Sequence, residues 1–309
     1  YACNKTVKLY LTATYNKPLH EWNIPSECQL YWDIEDEKLC KHHNVDKLVE
    51  RHGNYVNRVI TKFSVTNEEL FEPYNNYPEL HLITNMWDNR RYEKIKEKIM
   101  DSNYGFSFDV LFSLGKNKRF EHPFEVEKVL RYISGSEKER DFKNGDKSIL
   151  NRIYNICDES GSRKPFTQLW FLPVTNINQI SIELKKLMKE DRVLKDYDVL
   201  IVNSKNDELQ RDIKMEIEKH ERIAKKHNKR GLIILVGNML SLGITLEKCD
   251  IVFLMNNTLS IDKVLQQMYR CMTETSDGCK KYGYVVDLNI SRVINTCITY
   301  NIRDENMTV

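Results

Sequence analysis

Gly231-Leu-Ile-Ile-Leu-Val-Gly-Asn-Met-Leu-Ser-Leu-Gly-Ile-Thr-Leu-Glu-Lys-Cys-Asp-Ile-Val-Phe-Leu-Met255 decides the fold. Two apolar runs, Leu232–Val236 and Asp250–Met255, flank a turn that carries Gly237, Asn238, Ser241, Gly243 and Thr245. A strand with no polar alternation needs apolar cover on both faces, which helices on either side of a parallel sheet provide. Working outward, the same rhythm continues. Strands are expected at Gln168–Pro173, Tyr197–Val202 and Tyr284–Leu288, and helices at Asn178–Glu190, Asp207–His227, Ser260–Thr273 and Ser291–Tyr300. Strands alternating with helices predict an α/β, doubly wound domain, with ligands met just beyond the carboxyl ends of the strands.

Toward the N-terminus the pattern loosens. Val7–Leu11 reads as a buried strand ending at Thr12-Ala13-Thr14, and Tyr77–Thr84 as another. Helices are expected at Arg91–Met100, Pro123–Ile133 and Ser148–Cys157, with loops at 134–146 and 160–165. The second loop is placed as the domain boundary, giving units 1–165 and 166–309. At ~150 residues per domain, 309 residues predict about two.

Composition excludes several classes. Hydrophobic residues make up 41% and charged residues 30%, the balance of a globular chain rather than a disordered or collagen-like one. Lys+Arg 47 against Asp+Glu 45 leaves +2, so any contact with a polyanion must be local. No uncharged run approaches the ~18 residues of a membrane span. Eight cysteines lack the close pairing of a zinc ribbon or redox dithiol and read as thiols of a reducing intracellular compartment. Cys40 with His42 and His43 is half a metal site at best, so no metal is expected. The start at Tyr1, without Met, reads as a fragment.

Three segments carry chemistry. The turn with Ser241, Gly243 and Thr245 lets backbone N–H groups approach a phosphate or ribose, though a tight connection would use the same glycines. In Ser260–Thr273, at ~100° per residue, Ile261, Val264, Leu265, Met268 and Met272 form one stripe, which leaves Gln266 and Arg270 outward together, one turn apart. Such an arginine suits an anionic ligand across a cleft, or simply a solvated helix face. Thr12 and Thr14 close the first strand.

In order and spacing these segments resemble the superfamily 2 helicases, and most closely the helicase-like ATPases of large cytoplasmic DNA viruses. Leu11–Thr14 is similar to motif III, Trp170-Phe-Leu-Pro-Val174 to motif IV, Ser241–Asp250 to motif V and Gln266-Gln-Met-Tyr-Arg270-Cys-Met-Thr273 to motif VI. The resemblance implies RecA-like domains: the second over 166–309, and the tail of a first, with an insertion, over 1–165. It implies ATP between the domains, with Mg²⁺, and nucleic acid, DNA or RNA, bound across both without sequence preference. Arg270 would be the finger reaching the γ-phosphate, with Gln266 beside it. Gly243, Thr245, Thr12 and Thr14 would line the nucleotide. Thr175, Asn176, Asn203, Ser204, Gly237 and Asn238 would meet nucleic-acid phosphates.

Departures qualify what this implies. Thr273 stands where motif VI usually has a second arginine, Thr245 where motif V often has Asp, and Gly237 where it often has Thr. No Gly-x-x-x-x-Gly-Lys-Ser/Thr and no Asp-Glu box is present, so this chain alone is expected not to hydrolyse ATP, the missing pieces preceding Tyr1. The remaining strand of the first domain is expected at Glu79–Thr84. The aromatic residues Tyr31, Trp32, Tyr74, Tyr77, Trp87 and Tyr104 would form the core of the insertion or stack on bases. Lys225, Lys226, Lys229 and Arg230 complement a helix dipole or bind phosphate. The alternatives are a non-catalytic nucleic-acid-binding or assembly module on a RecA-like scaffold, and a double-strand translocase that does not unwind.

Overall fold

The computed structural model describes residues 9–11, 21–25, 28–63, 66–84, 100–101, 105–136, 148–202, 213–238, 240, 246–275, 277–300 and 302. Among these, six strands form one all-parallel sheet: β1 (Glu79–Ile83), β4 (Thr167–Phe171), β5 (Tyr197–Val202), β6 (Gly231–Val236), β7 (Cys249–Leu254) and β8 (Tyr282–Val286), in the order β1-β8-β7-β4-β6-β5. A short antiparallel pair, β2 (Met100–Asp101) and β3 (Gly105–Phe106), stands apart. The α/β class with a parallel sheet expected from the sequence is the one observed.

The sheet core divides by side-chain parity. In β6, Leu232, Ile234 and Val236 point to one face and Ile233 and Leu235 to the other, as the two-residue period of a strand requires. One face is covered by α9 (Ile213–Lys226) and α10 (Ile261–Met268), through Ile213, Ile217, Val264 and Met268. The other is covered by α5 (Phe108–Leu111), α6 (Pro123–Ser134), α7 (Ile149–Ser160) and α8 (Ile177–Glu190), while α11 (Ile290–Thr299) packs beside α10.

Helix ends follow local chemistry. Pro123 opens α6, and Gly135 closes it at φ +76°, where a Cβ would lie 2.5 Å from Ser148 Oγ. Only glycine turns the chain there against the cap of α7, whose Ser148 accepts from Asn151 N.

A smaller unit precedes the sheet: α1 (Ile34–Lys41), α2 (Val45–His52), α3 (Tyr55–Phe63) and α4 (Asn67–Phe71), around Leu39, Cys40, Leu48, Val56 and Phe71. Ile34 also joins the α9–α10 face of the main core, and Lys41 Nζ bonds Tyr77 O at 2.8 Å. Of the aromatic residues considered there, Tyr31 and Trp32 lie against His52, Tyr74 lies near Trp32, and Trp87 and Tyr104 fall outside the described residues.

Three expectations are corrected. Glu79–Ile83 does not finish a separate first domain: it pairs in parallel with β8 over five residue pairs, from Glu79 with Tyr282 to Ile83 with Val286, as the edge strand of the main sheet. The helix begun at Ser260 does not run α-helically to Thr273: it tightens into a 3₁₀ turn at Tyr269–Cys271. Leu9, Tyr10 and Leu11, expected to end a buried strand, are exposed and belong to no strand. Thr12–Thr14 of motif III, the expected helix at Arg91–Met100 apart from its last residue, and the first turns of the long helix lie outside the described residues. No helix among the described residues is long and apolar enough to cross a membrane.

Candidate functional site

The parallel sheet sorts the candidate residues onto two edges. At the carboxyl edge, β4 exits through Leu172 and Pro173, both buried, into exposed Val174, Thr175 and Asn176. Asn176, at φ +59°, caps α8. Buried Gly237 and exposed Asn238 leave β6 beside them, and a Cβ built on Gly237 would stand 3.5 Å from Val174 Cγ1 and 3.6 Å from Ile177 Cγ1. Four of the residues assigned to nucleic acid therefore come together. Asn203, Ser204, Gly243, Thr245, Thr12 and Thr14 lie outside the described residues.

The chain's connections diverge between β4 and β7, the usual place for a ligand crevice. Beside it, the carboxyl ends of β7 and β8 are tied together by protein groups. Buried Arg292 donates to both carboxylate oxygens of Asp287 at 2.7 and 2.9 Å, and to the carbonyls of Asn256 and Leu254 at 2.5 and 2.9 Å. Asn257 ties the same loop to Ser107, Phe108 and Asp109 at 2.7–3.0 Å.

Arg270 is on the opposite edge. α10 starts at the carboxyl edge and runs back along the sheet, so its final turn meets the amino ends of β7 and β8. Gly283 explains the closeness: a Cβ there would be 2.5 Å from Cys271 O and 2.7 Å from Met272 Sδ. Lys280, buried, clamps the same corner by donating to Cys249 O at 2.7 Å and Thr273 O at 2.8 Å. Below it Asp250 accepts from Arg163 Nη2 at 2.5 Å and from the amides of Phe166 and Thr167 at 2.7 and 3.2 Å. The turn thus packs on β7 and β8, and Lys280 ties down the residues that follow it.

Burial dominates the electrostatics of this corner. It lowers the Arg270 pKa, with the Cys249 sulfur opposing, and raises the Cys271 thiol to about 12. It raises Asp250 against the pull of Arg163 and Lys280, and lowers Lys280 against that of Asp250. Both Gln266 and Arg270 are half-buried, so the open polar face expected from the helical wheel is replaced by a partly desolvated one. The fully enclosed amide is Gln267, which accepts from Asn256 Nδ2 at 3.3 Å. Val264, Leu265, Met268 and Met272 are buried as the stripe requires.

A cavity of about 70 Å³ opens on this edge between Thr167, Ile217, Glu221, Leu246, Lys248 and Cys249. It suits water rather than a nucleotide, since ligand pockets run to ~300–1,000 Å³. A hollow of about 730 Å³ lies along α3, at Tyr55, Arg58, Lys62 and Phe63. Arg270 lines neither. Among the described residues no group of three or more His, Cys, Asp or Glu could hold a metal ion.

Motif spacing gives no role to Lys280, Asp250 or Gly283. A glycine interrupting the run Tyr-Gly-Tyr-Val-Val (282–286) is the signal that could have found the last, because such a residue marks close backbone approach.

The molecule is an α/β protein whose all-parallel sheet presents a polar segment at one edge and a half-buried arginine at the other. No protein-family model and no curated protein matches the sequence. Solved structures similar to it include S. cerevisiae Dbp5 bound to RNA and ADP BeF3, at 13% identity over 71% of this chain and 48% of that one, TM-score 0.34. Another is the ATP-dependent Type ISP restriction-modification enzyme LlaBIII bound to DNA, at 16% identity over 56% of this chain and 13% of that one, TM-score 0.34. A third is the C-terminal part of the Fun30 ATPase domain, at 14% identity over 75% of this chain and 70% of that one, TM-score 0.31. The chain spans about a third of the length of the first-ranked structures it matches.

Proposed function

We propose that the chain is the second RecA-like lobe of an ATP-dependent nucleic-acid helicase or translocase of the superfamily 2 type, similar to those of large DNA viruses and working in a reducing intracellular compartment. The observation that carries this is Arg270, half-buried on a clamped turn with its charge disfavoured by burial. A partly buried guanidinium interacts more strongly with an anion than a fully solvated one does, and its planar fork fits phosphate oxygens.

Of the groups a bound nucleotide requires, this chain offers that cation, with Gln266 on the preceding turn. Gly243, Thr245, Thr12 and Thr14 complete the nucleotide side in this reading. The phosphate cradle and Mg²⁺ ligands belong to a partner lobe, since no P-loop sequence occurs here. ATP supplies a phosphoryl group whose transfer spreads negative charge over its oxygens. Arg270 donates toward that charge from a turn packed against Gly283. At the other edge Thr175, Asn176, Gly237 and Asn238, with Asn203 and Ser204, contact nucleic-acid phosphates without reading bases.

The test is Arg270→Ala in a protein that also carries the P-loop lobe. Turnover should fall ~10³-fold while ATP still binds, and turnover within a few-fold of wild type rejects the assignment. The missing P-loop sequence and Thr273 favour a second reading, a non-hydrolysing binding or assembly module. The reading frame upstream of Tyr1 separates the two, a P-loop with an Asp-Glu box supporting the motor. Strand unwinding assayed beside triplex displacement separates a helicase from a double-strand translocase.

A further inference from the structure

Two loops meet at the β5–β6 flank of the amino edge, away from Arg270. Residues 191–196 follow α8 and residues 227–230 follow α9. Arg230 N donates to Asp196 O at 2.9 Å, and Lys229 Nζ to Lys195 O at 3.1 Å. With the last turn of α9 these loops gather Arg192, Lys195, Lys225, Lys226, Lys229 and Arg230, all exposed except half-buried Lys229.

The neighbouring acids do not cancel this charge. Asp191 is turned inward, Oδ1 accepting the Val193 and Leu194 amides and Oδ2 the hydroxyls of Ser134 and Ser136. Glu190 and Asp196 are exposed, which leaves six cations against two solvent-facing carboxylates. Among the described residues none of the six is in an ion pair, whereas Lys186 and Lys219 on the same helices lie 2.6 and 3.3 Å from Glu183 and Glu216.

Complementing the dipole of α9 would explain Lys225 and Lys226, because that effect fades beyond the last turn. Arg192 and Lys195 come from another loop and fall outside it. The chain as a whole carries only +2, so the concentration is local. The cations spread over a surface, and neither hollow described above includes them. That favours an extended polyanion over a single small phosphate. Phe166, with Lys225 Nζ 5.2 Å from its ring centroid, borders the patch.

We infer that this flank is a second nucleic-acid contact, gripping the phosphate backbone without sequence preference. It rests on the nucleic-acid part of the function proposed above. It is separated from Thr175, Asn176 and Asn238 by the height of β6, about 20 Å at ~3.3 Å per residue, so an occupant of both runs down one side of the lobe.

The test is anisotropy of a fluorescent oligonucleotide of about 30 nucleotides, single-stranded and as a duplex, titrated with the whole chain over a range of salt. Replacing Lys225, Lys226, Lys229 and Arg230 by Gln should weaken binding at least ~10-fold at low salt and reduce the slope of log affinity against log salt by about 3, at ~0.7–0.9 per phosphate contact. Exchanging Lys225, Lys226 and Lys229 for Arg, which keeps the charge, should retain affinity, and thermal unfolding of each variant checks the fold. A Gln variant that binds with wild-type affinity and slope overturns the second contact alone and leaves the carboxyl-edge track standing. A wild-type chain that binds no oligonucleotide overturns both.

Discussion

Gly283 and Gly237 make opposite demands on one atom. At Gly283 a methyl group would press on a backbone carbonyl, Cys271 O, at 2.5 Å, and the turn bearing Arg270 would have to move. Overpacking of this kind costs about 1–3 kcal/mol. At ~2–4 °C per kcal/mol, Gly283→Ala should therefore lower the melting temperature by several degrees. Gly237→Ala should stay within a degree or so, because its Cβ would sit at ordinary contact distance, 3.5 Å from Val174. Circular dichroism melts of the two variants decide this, and equal melting temperatures would mean that the Tyr269–Cys271 turn is not held by close packing on β8. Motif spacing singles out Arg270 as a candidate, and its half-burial is what the structure adds. That half-burial was not legible, because the turn carrying Arg270 packs on β7 and β8, which come from separate parts of the chain.

The strands were the most legible elements. Tyr197–Val202 has the expected bounds, and Gln168–Pro173 and Leu232–Val236 shift by one or two residues, because strands covered on both faces have no polar positions to blur their edges. The end of α10 was not legible: Cys271 and Met272 continue the apolar stripe, and no breaker marks the change to a 3₁₀ turn. In α1, Asp33 and Asp36 form a reciprocal cap at 3.0 and 3.2 Å, bound in turn by Arg51 at 2.7–2.8 Å. Glu37 follows it, half-buried. Burial pushes its carboxyl from 4.5 up to about 7, the Tyr77 phenol pulling it down and Asp33 and Asp36 adding to the rise. The folded state therefore holds this proton more tightly than the unfolded chain. That contribution is complete below pH 4.5 and is lost as pH rises through about 7. Glu37→Gln, which stays neutral, should gain stability over wild type between pH 5 and 8. Urea unfolding of both proteins at several pH values tests it, and a constant offset between them would show an unperturbed carboxyl.

Across the whole molecule, packing is continuous through the loop chosen as a boundary. Ser160–Pro165 has the glycine, proline and charge of a linker, yet Arg163 within it pairs with Asp250, and Ser160 O accepts from Lys281 Nζ at 2.9 Å. Local composition marks a turn but cannot say whether the flanking elements share a core. Here they do: Phe108, Leu111, Val126, Leu130, Ile149 and Ile153 belong to the same buried cluster as Trp170, Ile251, Phe253 and Tyr284. α8 packs on β5 and β6, whereas on the β7–β8 side of that face Cys157 of α7 meets Tyr284 Oη at 3.2 Å. A chain beginning at Phe166 would uncover Ile251, Phe253, Tyr284 and Val286 and leave β8 without its β1 partner. At roughly 1.5–3 kcal/mol for each buried side chain, four of them amount to about 6–12 kcal/mol, as much as the ~5–15 kcal/mol that holds a typical domain folded. Residues 166–309 alone should therefore bind a hydrophobic dye and melt without a sharp transition, whereas 77–309, which keeps β1 and α5–α7, should unfold cooperatively near the temperature of the whole chain. Calorimetry of the two pieces is the check: a sharp transition in 166–309 at the whole-chain temperature would restore the boundary at 165 and make β1, α6 and α7 an accessory layer rather than half of the core on which the Arg270 corner is built.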